Sequence, residues 1–496
     1  MNPGVAPWAA GPDRAALGLK VAAGVAACAA LAAPAAGMNP VFVAFPAAVG
    51  LIFAVAHRTI LAWRTLVAAV VTVILIIPMK RYSLLPNTLP FHIELYRLLI
   101  AGVAVCWLGS VLIDPATKIR RTGLDIALAA FGLTVLASIA VNAGRVGALD
   151  VGGLVLKRIT FLASGFVLVY LISSTITRRR DIDFLVRIIV TSGTIVAICA
   201  LYESRSGYNV FNHLQTLFPA MRFDGSTLVS TIDDSRGGRL RVRASAEHPI
   251  ALGAALAILL PLGIYLAHRT GQRRWWLAVA LLAFGVLSTV SRTGVLMLLV
   301  IGITYAILKP AATRRALPIL LPLLIASHVA VPGALGGLKS AFFPAGGVVA
   351  EQQYGAGTHG SGRLADFGPS IAEWEQTPLL GQGYATRISD VLDPRQNAPI
   401  LDDQWLGSLL ETGLLGLAGL AWLFVRTIRK LGRAARRDSS AHGWLLAGLA
   451  ASISGFAAGM WTFDAFGFYQ VTLLFFVMIG LSISALRVSG PEAGER

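Results

Sequence analysis

The chain has 496 residues, of which 56% are hydrophobic and only 14% are charged, and its mean hydropathy is +0.71. A soluble protein cannot bury that much apolar surface, so the composition excludes a soluble globular domain and predicts an all-α polytopic membrane protein. The formal net charge of +17 would suggest nucleic acid as the partner of a soluble protein. Most of the basic residues instead lie in short loops between apolar segments, where membrane orientation accounts for them, so no nucleic acid is expected.

About fourteen apolar segments of the chain approach the length of roughly 20 residues that crosses a bilayer as a helix. In chain order these predicted transmembrane helices cover residues 17–36, 40–56, 62–78, 95–113, 124–141, 158–176, 185–203, 249–267, 275–290, 293–308, 317–332, 405–425, 444–461 and 466–486. The first segment ends in AAPAAG, which resembles a signal-peptidase site, but a second apolar run follows almost at once, so we interpret it as an uncleaved span. Residues 1–496 are therefore expected to form a single integral membrane domain.

The basic loops predict the orientation of the chain in the membrane. With the N-terminus inside, every short basic cluster falls on the cytoplasmic side, which is the distribution that the positive-inside rule describes. These clusters are His57–Arg58, Lys118–Arg121, Arg178–Arg180, Arg269–Arg274, Lys309–Arg315 and Arg426–Arg437. Both termini are then cytoplasmic, and residues 204–248 and 333–404 become two larger extracytoplasmic loops.

The second of these loops contains a predicted amphipathic helix. Apolar residues recur there at helical spacing with polar residues between them: Leu364, Phe367, Ile371 and Trp374 alternate with Arg363, Asp366, Ser370 and Glu373. The pattern is typical of a helix that lies on a membrane surface or roofs a cavity. A loop this long and this charged between spans is usually functional, so we expect it to form one wall of a catalytic site.

The end of the first loop, GGRLRVRASAEHPIALG at 237–253, carries alternating arginines. Arg239, Arg241 and Arg243 would point the same way from an extended chain, which suits the binding of a polyanion. The alternative is that these arginines are solvated or contact lipid headgroups. His248, which directly precedes the next span, is either an acid–base group or simply a residue at the start of a helix.

Carboxylates and a further arginine lie at the external ends of other spans. Arg292 belongs to the hairpin STVSRTG, on the external side against the positive-inside trend, although a lone arginine at such a boundary often snorkels. Asp402 and Asp403 stand at the mouth of the span 405–425, where one of them can act as a general base or merely cap the helix. Glu411 lies two turns further in and is expected to partner an arginine, because an unpaired carboxylate within a span is costly.

Neither a metal nor a cofactor is predicted. Adjacent residues on a helix diverge, so Asp402 and Asp403 make a poor chelate. The three cysteines, Cys28, Cys106 and Cys199, lie inside predicted spans without metal-ligand spacing, which gives neither a zinc site nor a disulfide framework. The chain has no P-loop, no HExxH motif and no dinucleotide-binding glycine pattern after a strand.

Four of these stretches, in this order, resemble the O-antigen ligase and polymerase superfamily of bacterial membrane proteins. They are RASAEHPIALG, LSTVSRTG, GSGRLADFGPSIAEWEQTPLLGQGY and DDQWLGSLLETGLLGL. The resemblance implies a membrane-embedded glycosyltransferase of GT-C-like type in the bacterial plasma membrane. It further implies a polyprenyl-pyrophosphate-linked saccharide as donor, a glycan as acceptor, and inverting, metal-independent transfer on the extracytoplasmic face. Family arginines that contact the pyrophosphate would correspond to Arg243, Arg292 and Arg363.

One departure from the family pattern bears on the reaction. Ligases carry a His-Asn type motif where this chain has Asp402, Asp403, Gln404 and Trp405. The form found here is closer to the Asp-Asn-Gln-Tyr version of capsular and exopolysaccharide polymerases, so we expect polymerisation of repeat units, with an O-antigen-type ligase as the alternative. A flippase or a chain-length regulator would be a natural partner of such an enzyme.

Two other classes of function are compatible with a polytopic membrane protein. A transporter or flippase of lipid-linked glycan should show internal repeats and charged residues near the membrane midplane. The chain shows neither clearly, since its charges gather at the external ends of the spans, and this favours the enzyme. A scaffold that holds other envelope enzymes is the third interpretation, and no motif separates it from the other two.

Overall fold

The computed structural model describes residues 62–83, 94–113, 118–219, 221–224, 235–236, 239–330, 336, 367–387 and 401–488. Twelve long helices, numbered in chain order, make up most of this part. They are α1 (Trp63–Ile76), α2 (Leu95–Ile113), α3 (Asp125–Val141), α4 (Gly152–Thr175), α5 (Arg179–Ser206), α6 (Pro249–Thr270), α7 (Arg273–Ser288), α8 (Arg292–Leu308), α9 (Pro310–Ala330), α10 (Gln404–Arg437), α11 (Ala441–Gly459) and α12 (Tyr469–Val488).

Each of the predicted spans from residue 62 onward corresponds to one of these helices, whereas 17–36 and 40–56 lie outside the described residues. Seven of the described helices, α2, α4, α5, α6, α10, α11 and α12, are long and apolar enough to cross a membrane, and α1, α3 and α8 are shorter apolar helices. The protein is therefore a helical, multi-pass membrane protein. Several helices extend beyond the predicted spans: α4 starts at Gly152, α5 runs from Arg179 to Ser206, α9 starts at Pro310, and α10 continues to Arg437.

The centre of the bundle is formed by α6 and α12, whose side chains are almost all buried. Helix α6 packs against α7 and α11, and α12 packs against α4. Small residues allow the close approach: a Cβ on Gly165 would lie 2.3 Å from the ring of Phe476, and one on Gly193 would lie 2.4 Å from Leu259. Close packing through glycine is a common way of holding transmembrane helices together, because lipid offers no hydrophobic driving force between them.

One end of the bundle, which we call the basic end, consists of residues 118–124, 176–178, 271–272 and 438–440 with the adjoining helix ends. Ion pairs and cation–carbonyl contacts tie these loops together. Arg269 lies 3.4 Å from Asp183, and Lys309 Nζ donates to the carbonyl of Asp438 at 2.8 Å. The clusters that the positive-inside rule assigns to the cytoplasm, as far as they are described, meet at this end.

The opposite end, which we call the polar end, consists of residues 77–83, 207–219, 221–224, 241–248, 289–291, 375–387, 401–403 and 460–468. Two short antiparallel ribbons occur there, β1–β2 (Tyr82–Ser83 with Arg222–Phe223) and β3–β4 (Ser235–Arg236 with Arg239–Leu240). In β1–β2, Tyr82 pairs with Phe223 and Ser83 with Arg222. Most of the described residues of the two predicted extracytoplasmic loops belong to this end.

A helix over Phe367–Trp374 corresponds to part of the predicted amphipathic helix. Its polar residues Ser370 and Glu373 are fully buried against the protein, whereas Phe367 on the apolar side is 48% exposed. The helix thus turns its polar face inward and an apolar residue outward. This is the arrangement expected of a helix on a membrane surface, where lipid contacts the apolar side.

Candidate functional site

The polar end is organised first around Lys80, which follows α1. Its Nζ atom lies 2.6 Å from Glu247 Oε2 and donates to the carbonyl of Gly467 at 3.1 Å. Its backbone N–H donates to Glu94 Oε2 at 2.8 Å. Burial lowers the pKa of Lys80, but the charge and hydrogen bond of Glu247 outweigh it, so the pKa is raised overall. Lys80 therefore remains a cation and joins three loops that are distant in sequence.

Arg81 holds the segment that carries two of the predicted arginines. Its guanidinium is buried and donates to Asn212 Oδ1 at 3.2 Å, to the carbonyl of Ala244 at 2.9 Å and to the carbonyl of Ala246. Burial lowers the pKa of Arg81 to about 10, still above neutrality. By donating to backbone carbonyls, the charged guanidinium fixes the path of residues 241–248. Because carbonyls are uncharged, these contacts leave the charges of Arg241 and Arg243 in place.

Within this segment, Glu203 at the end of α5 accepts the backbone N–H of Arg243 at 3.4 Å and that of Ala244 at 2.8 Å. Ala244 has φ +41°, a left-handed value that an alanine adopts only when its surroundings impose it. Arg241 is only 8% exposed, so it is not a solvated loop charge, and Arg243 is partly buried. The backbone of Arg239 lies in β4.

His248 is the N-cap of α6. Its Nδ1 accepts the backbone N–H of Ile250 at 3.1 Å, and its ring stacks on Phe468 at 5.4 Å. A neutral imidazole that accepts at Nδ1 carries its proton on Nε2. The geometry corresponds to the interpretation of His248 as a residue at the start of a helix, and its acid–base role stays a prediction.

Arg292 is the first residue of α8, directly after a tight turn in which Val290 has φ +47°. Its neighbour Thr293 receives a hydrogen bond from Thr462 Oγ1 at 2.8 Å, which joins the hairpin to residues 460–468. Arg292 therefore lies at the same end of the bundle as Arg241 and Arg243.

The two adjacent aspartates have different surroundings. Asp403 is the N-cap of α10: its Oδ1 accepts the backbone N–H of Leu406 at 3.0 Å, and the residue is 5% exposed. Asp402 is partly exposed, and its negative charge acts on the carboxyl of Asp464 in the loop between α11 and α12. Gln404 holds α10 to the same loop by accepting the backbone N–H of Phe466 at 2.6 Å.

The sequence analysis missed a charge cluster formed by Arg158, Asp464 and Glu411. Arg158, one turn inside α4, interacts electrostatically with both carboxylates. Burial raises the pKa of Asp464, while the positive charge of Arg158 and the N–H of Gly467 oppose that rise. Glu411 was expected to partner an arginine, and Arg158 and Arg387 are the arginines whose charges act on it. The signal in the sequence was the basic pair Lys157–Arg158, which is not among the six clusters counted above and which lies on the predicted external side, against the positive-inside trend.

Helix α10 is interrupted at Gly413, which has φ +66° and ψ −169°. The turn after the helix Phe367–Trp374 inserts at this break. The carbonyls of Pro378 and Leu379 accept the backbone N–H groups of Leu414 and Leu415, at 2.9 and 3.2 Å.

The same turn also satisfies the acceptors on the other side of the break. The backbone N–H groups of Gln382 and Gly383 donate to the carbonyls of Leu410 and Glu411, at 2.9 and 3.2 Å. Since backbone groups freed by a helix break must find partners inside a membrane, this insertion allows the break to exist. It also fixes Glu411 against the polar end.

Arg363 lies outside the described residues, so its position relative to the other arginines stays a prediction. A buried ion pair occurs close to it in sequence, between Glu373 and Arg387 Nη1 at 2.5 Å. In the part of the chain that the structure describes, no three His, Cys, Asp or Glu side chains are grouped so as to hold a metal ion. Of the predicted site residues, Arg241, Arg243, His248, Arg292, Asp402, Asp403 and Glu411 all lie at or next to the polar end.

Residues 277–421 match the family model described as O-Antigen ligase. This range contains Arg292, Arg363, Asp402, Asp403 and Glu411, while Arg241, Arg243 and His248 precede it. No curated protein matches the chain. The family match confirms the resemblance that the sequence motifs carry, and it supports membership of the O-antigen ligase and polymerase superfamily.

Proposed function

With membership of this superfamily as the premise, we propose that the protein transfers a polyprenyl-pyrophosphate-linked oligosaccharide to a glycan acceptor and thereby polymerises repeat units of an exopolysaccharide, capsule or O-antigen. The reaction takes place on the extracytoplasmic face of the bacterial plasma membrane, inverts the anomeric centre and needs no metal. The motif Asp402, Asp403, Gln404 and Trp405 favours a polymerase over a ligase.

The observation that supports the proposal is that Arg241, Arg243, Arg292 and Asp402 all belong to loops or helix ends at the polar end of the bundle. Arginine keeps its charge and binds phosphate oxygens in a planar fork, so these side chains suit a pyrophosphate. A fixed cation near the phosphates stabilises the negative charge that grows on the leaving group.

The chemistry assigned to Asp402 is that of a general base. The bond from the anomeric carbon to the pyrophosphate oxygen breaks, and the electron pair leaves with the pyrophosphate. The acceptor hydroxyl oxygen forms the new bond from the opposite face, and its proton passes to Asp402. Asp403 already accepts a backbone N–H as the cap of α10, which leaves Asp402 as the better candidate of the pair.

Replacement of each aspartate by asparagine distinguishes a general base from a helix cap. Asn caps a helix about as well as Asp but cannot accept a proton. We expect Asp402→Asn to fold normally and to lose about two to four orders of magnitude in transfer, the usual worth of a general base. Asp403→Asn should lose much less. The measurement is transfer in vitro from a polyprenyl-pyrophosphate oligosaccharide, with and without a chelator.

Several outcomes would contradict this assignment. Near-normal turnover in both Asn variants would leave the aspartates as caps and move the search for a base to His248 and Glu247. Loss of wild-type activity with the chelator would make the reaction metal-dependent. An acceptor series separates the remaining alternative: a ladder of lengthening chains indicates a polymerase, whereas a single addition to a lipid or protein acceptor indicates a ligase.

A further inference from the structure

A groove of about 550 Å³ opens at the basic end, between the residues that precede α3, the last turns of α10 and the end of α12. Five basic side chains line it: Arg121, Lys430, Arg433, Arg437 and Arg487. None of the groove's lining residues is acidic, and among the described ion pairs none involves these five cations. Like charges crowded into one groove repel one another, so the groove favours an anion.

One carboxylate whose charge acts on two of these cations does not cancel the positive charge of the groove. The carboxylate of Asp125 acts on Lys430 and Arg487. Its oxygens, however, already accept the backbone N–H groups of Thr122 and Gly123, at 3.0 and 3.1 Å, and the hydroxyl of Tyr170 at 3.1 Å. Asp125 therefore offsets only part of the charge of the five basic side chains, and the groove keeps a positive excess.

Two of the cations are held in place by uncharged partners. Lys430 Nζ donates to the carbonyl of Gly123 at 2.8 Å. Arg487 donates to the carbonyl of Ser173 at 2.5 Å and to that of Arg121 at 3.0 Å. A carbonyl orients a cation without neutralising it. The side chains of Lys430 and Arg487 are therefore preorganised for an anion. Arg433 and Arg437 lie four residues apart on one face of α10, and both are exposed.

The groove also has an apolar wall, formed by Ala434, Ile483 and Leu486. A free inorganic anion makes no use of such a wall, whereas a phospholipid brings acyl chains together with its phosphate. We propose that this groove binds the phosphate of an anionic phospholipid, with the start of the acyl chains against the apolar wall. Basic pockets between transmembrane helices are suited to such headgroups. The site is separate from the polar end and does not depend on the proposed transfer reaction.

The experiment measures the unfolding temperature of the full-length protein in detergent while phosphatidylglycerol, phosphatidylcholine or inorganic phosphate is added. A ligand that binds only the folded state raises that temperature, and the rise grows with the logarithm of the ligand concentration divided by its Kd. We expect phosphatidylglycerol to raise it most. Arg433→Gln/Arg437→Gln should weaken the apparent affinity for phosphatidylglycerol roughly 10- to 30-fold, since each basic residue near an anionic headgroup is worth about a five-fold change.

The matched control is Arg314→Gln/Arg315→Gln, which removes two exposed charges from the start of α9, outside the groove lining. This variant should bind phosphatidylglycerol as the wild type does. The single variant Arg433→Gln, with about a five-fold loss, serves if the double variant does not fold. Equal binding by the groove variants and the wild type would overturn the proposal. An equal response to phosphatidylcholine, or to inorganic phosphate alone, would overturn it as well, the latter by indicating a site for soluble anions.

Discussion

Arginines occur at both ends of the bundle, but their partners differ. At the polar end, Arg81 is buried on carbonyls, Arg158 faces two carboxylates, and acidic groups such as Glu247 and Glu203 lie among the cations. At the basic end, Lys430 and Arg487 contact carbonyls, and Arg433 and Arg437 are exposed. The polar end is a balanced, buried network, and the basic end is an open excess of positive charge.

The role of a basic residue near a membrane boundary therefore cannot be assigned from its residue type alone. Cations that serve orientation or lipid contact can stay exposed, where each contributes little to stability. Cations that are buried with carboxylates are expensive to bring together and are kept where a defined geometry is needed.

The largest expected effect is on transfer activity at the polar end. Arg243→Ala and Arg292→Ala should each reduce transfer by about a hundred- to a thousand-fold, the usual loss when one group that stabilises a developing negative charge is removed. Arg363→Ala should do the same if its position matches the family motif. Lysine replacements should rescue poorly, because the planar fork is lost. The assay is transfer in vitro, normalised to the amount of folded protein.

The control for these variants is Arg315→Ala at the basic end, which should retain nearly full activity. If two of the three alanine variants Arg243→Ala, Arg292→Ala and Arg363→Ala keep full activity, the assignment of the pyrophosphate site is wrong. If Arg315→Ala loses as much as they do, the contrast between the two ends disappears.

The second effect is on stability, at the glycine that divides α10. A Cβ on Gly413 would lie 2.3 Å from the carbonyl group of Leu379, and the backbone there has φ +66° and ψ −169°. Only glycine adopts this conformation readily, so Gly413→Ala should lower the free energy of unfolding by about 3 kcal/mol or more. Thermal unfolding in detergent measures the loss.

Gly432 is the matched control on the same helix, near the basic end. A Cβ there would meet only Leu308, at an ordinary 3.5 Å. Alanine favours a helix over glycine by up to about 1 kcal/mol, so Gly432→Ala should be neutral or slightly stabilising. Equal behaviour of the two alanine variants would mean that the break at Gly413 does not require glycine.

The smallest effect concerns the charge cluster that the sequence analysis missed. Arg158→Gln leaves Asp464 and Glu411 without this cation, and we expect the free energy of unfolding to fall by about 3 kcal/mol or less, because Arg158 is only partly buried. The pKa of Asp464 is raised, so folding favours the protonated carboxyl group. As the pH rises through this pKa, the carboxyl group ionises in the folded protein, and the buried charge then lowers stability. The loss should therefore be smaller at mildly acidic than at mildly alkaline pH.

A double variant tests whether the charge is the cause. Arg158→Gln/Asp464→Asn should recover part of the stability, since the amide needs no counter-charge and can still accept the N–H of Gly467. A strictly additive loss, or a loss without pH dependence, would show that Arg158 acts through packing and not through its charge.

The sequence alone was enough to predict the membrane class, the long helices from residue 62 onward and the gathering of the short basic clusters at one end of the bundle. These features depend on local composition: an apolar run of sufficient length must cross the bilayer, and basic loops sort to one side of it. The helix Phe367–Trp374 was also predictable, because helical spacing of apolar residues is a local signal. The position of Asp402 and Asp403 at the start of a long apolar helix was predictable as well, because both residues directly precede an apolar run.

What these residues contact depends on the tertiary structure and could not be read from the sequence. Gly413, Gly416 and Gly419 look alike in the sequence of α10, yet the break occurs at Gly413, where the turn at 378–383 supplies the missing backbone partners. Likewise, Asp403 is the cap and Asp402 faces Asp464, a residue from a distant loop. Which backbone groups are satisfied and which charges are paired depends on segments far apart in the chain, and no local pattern records their meeting.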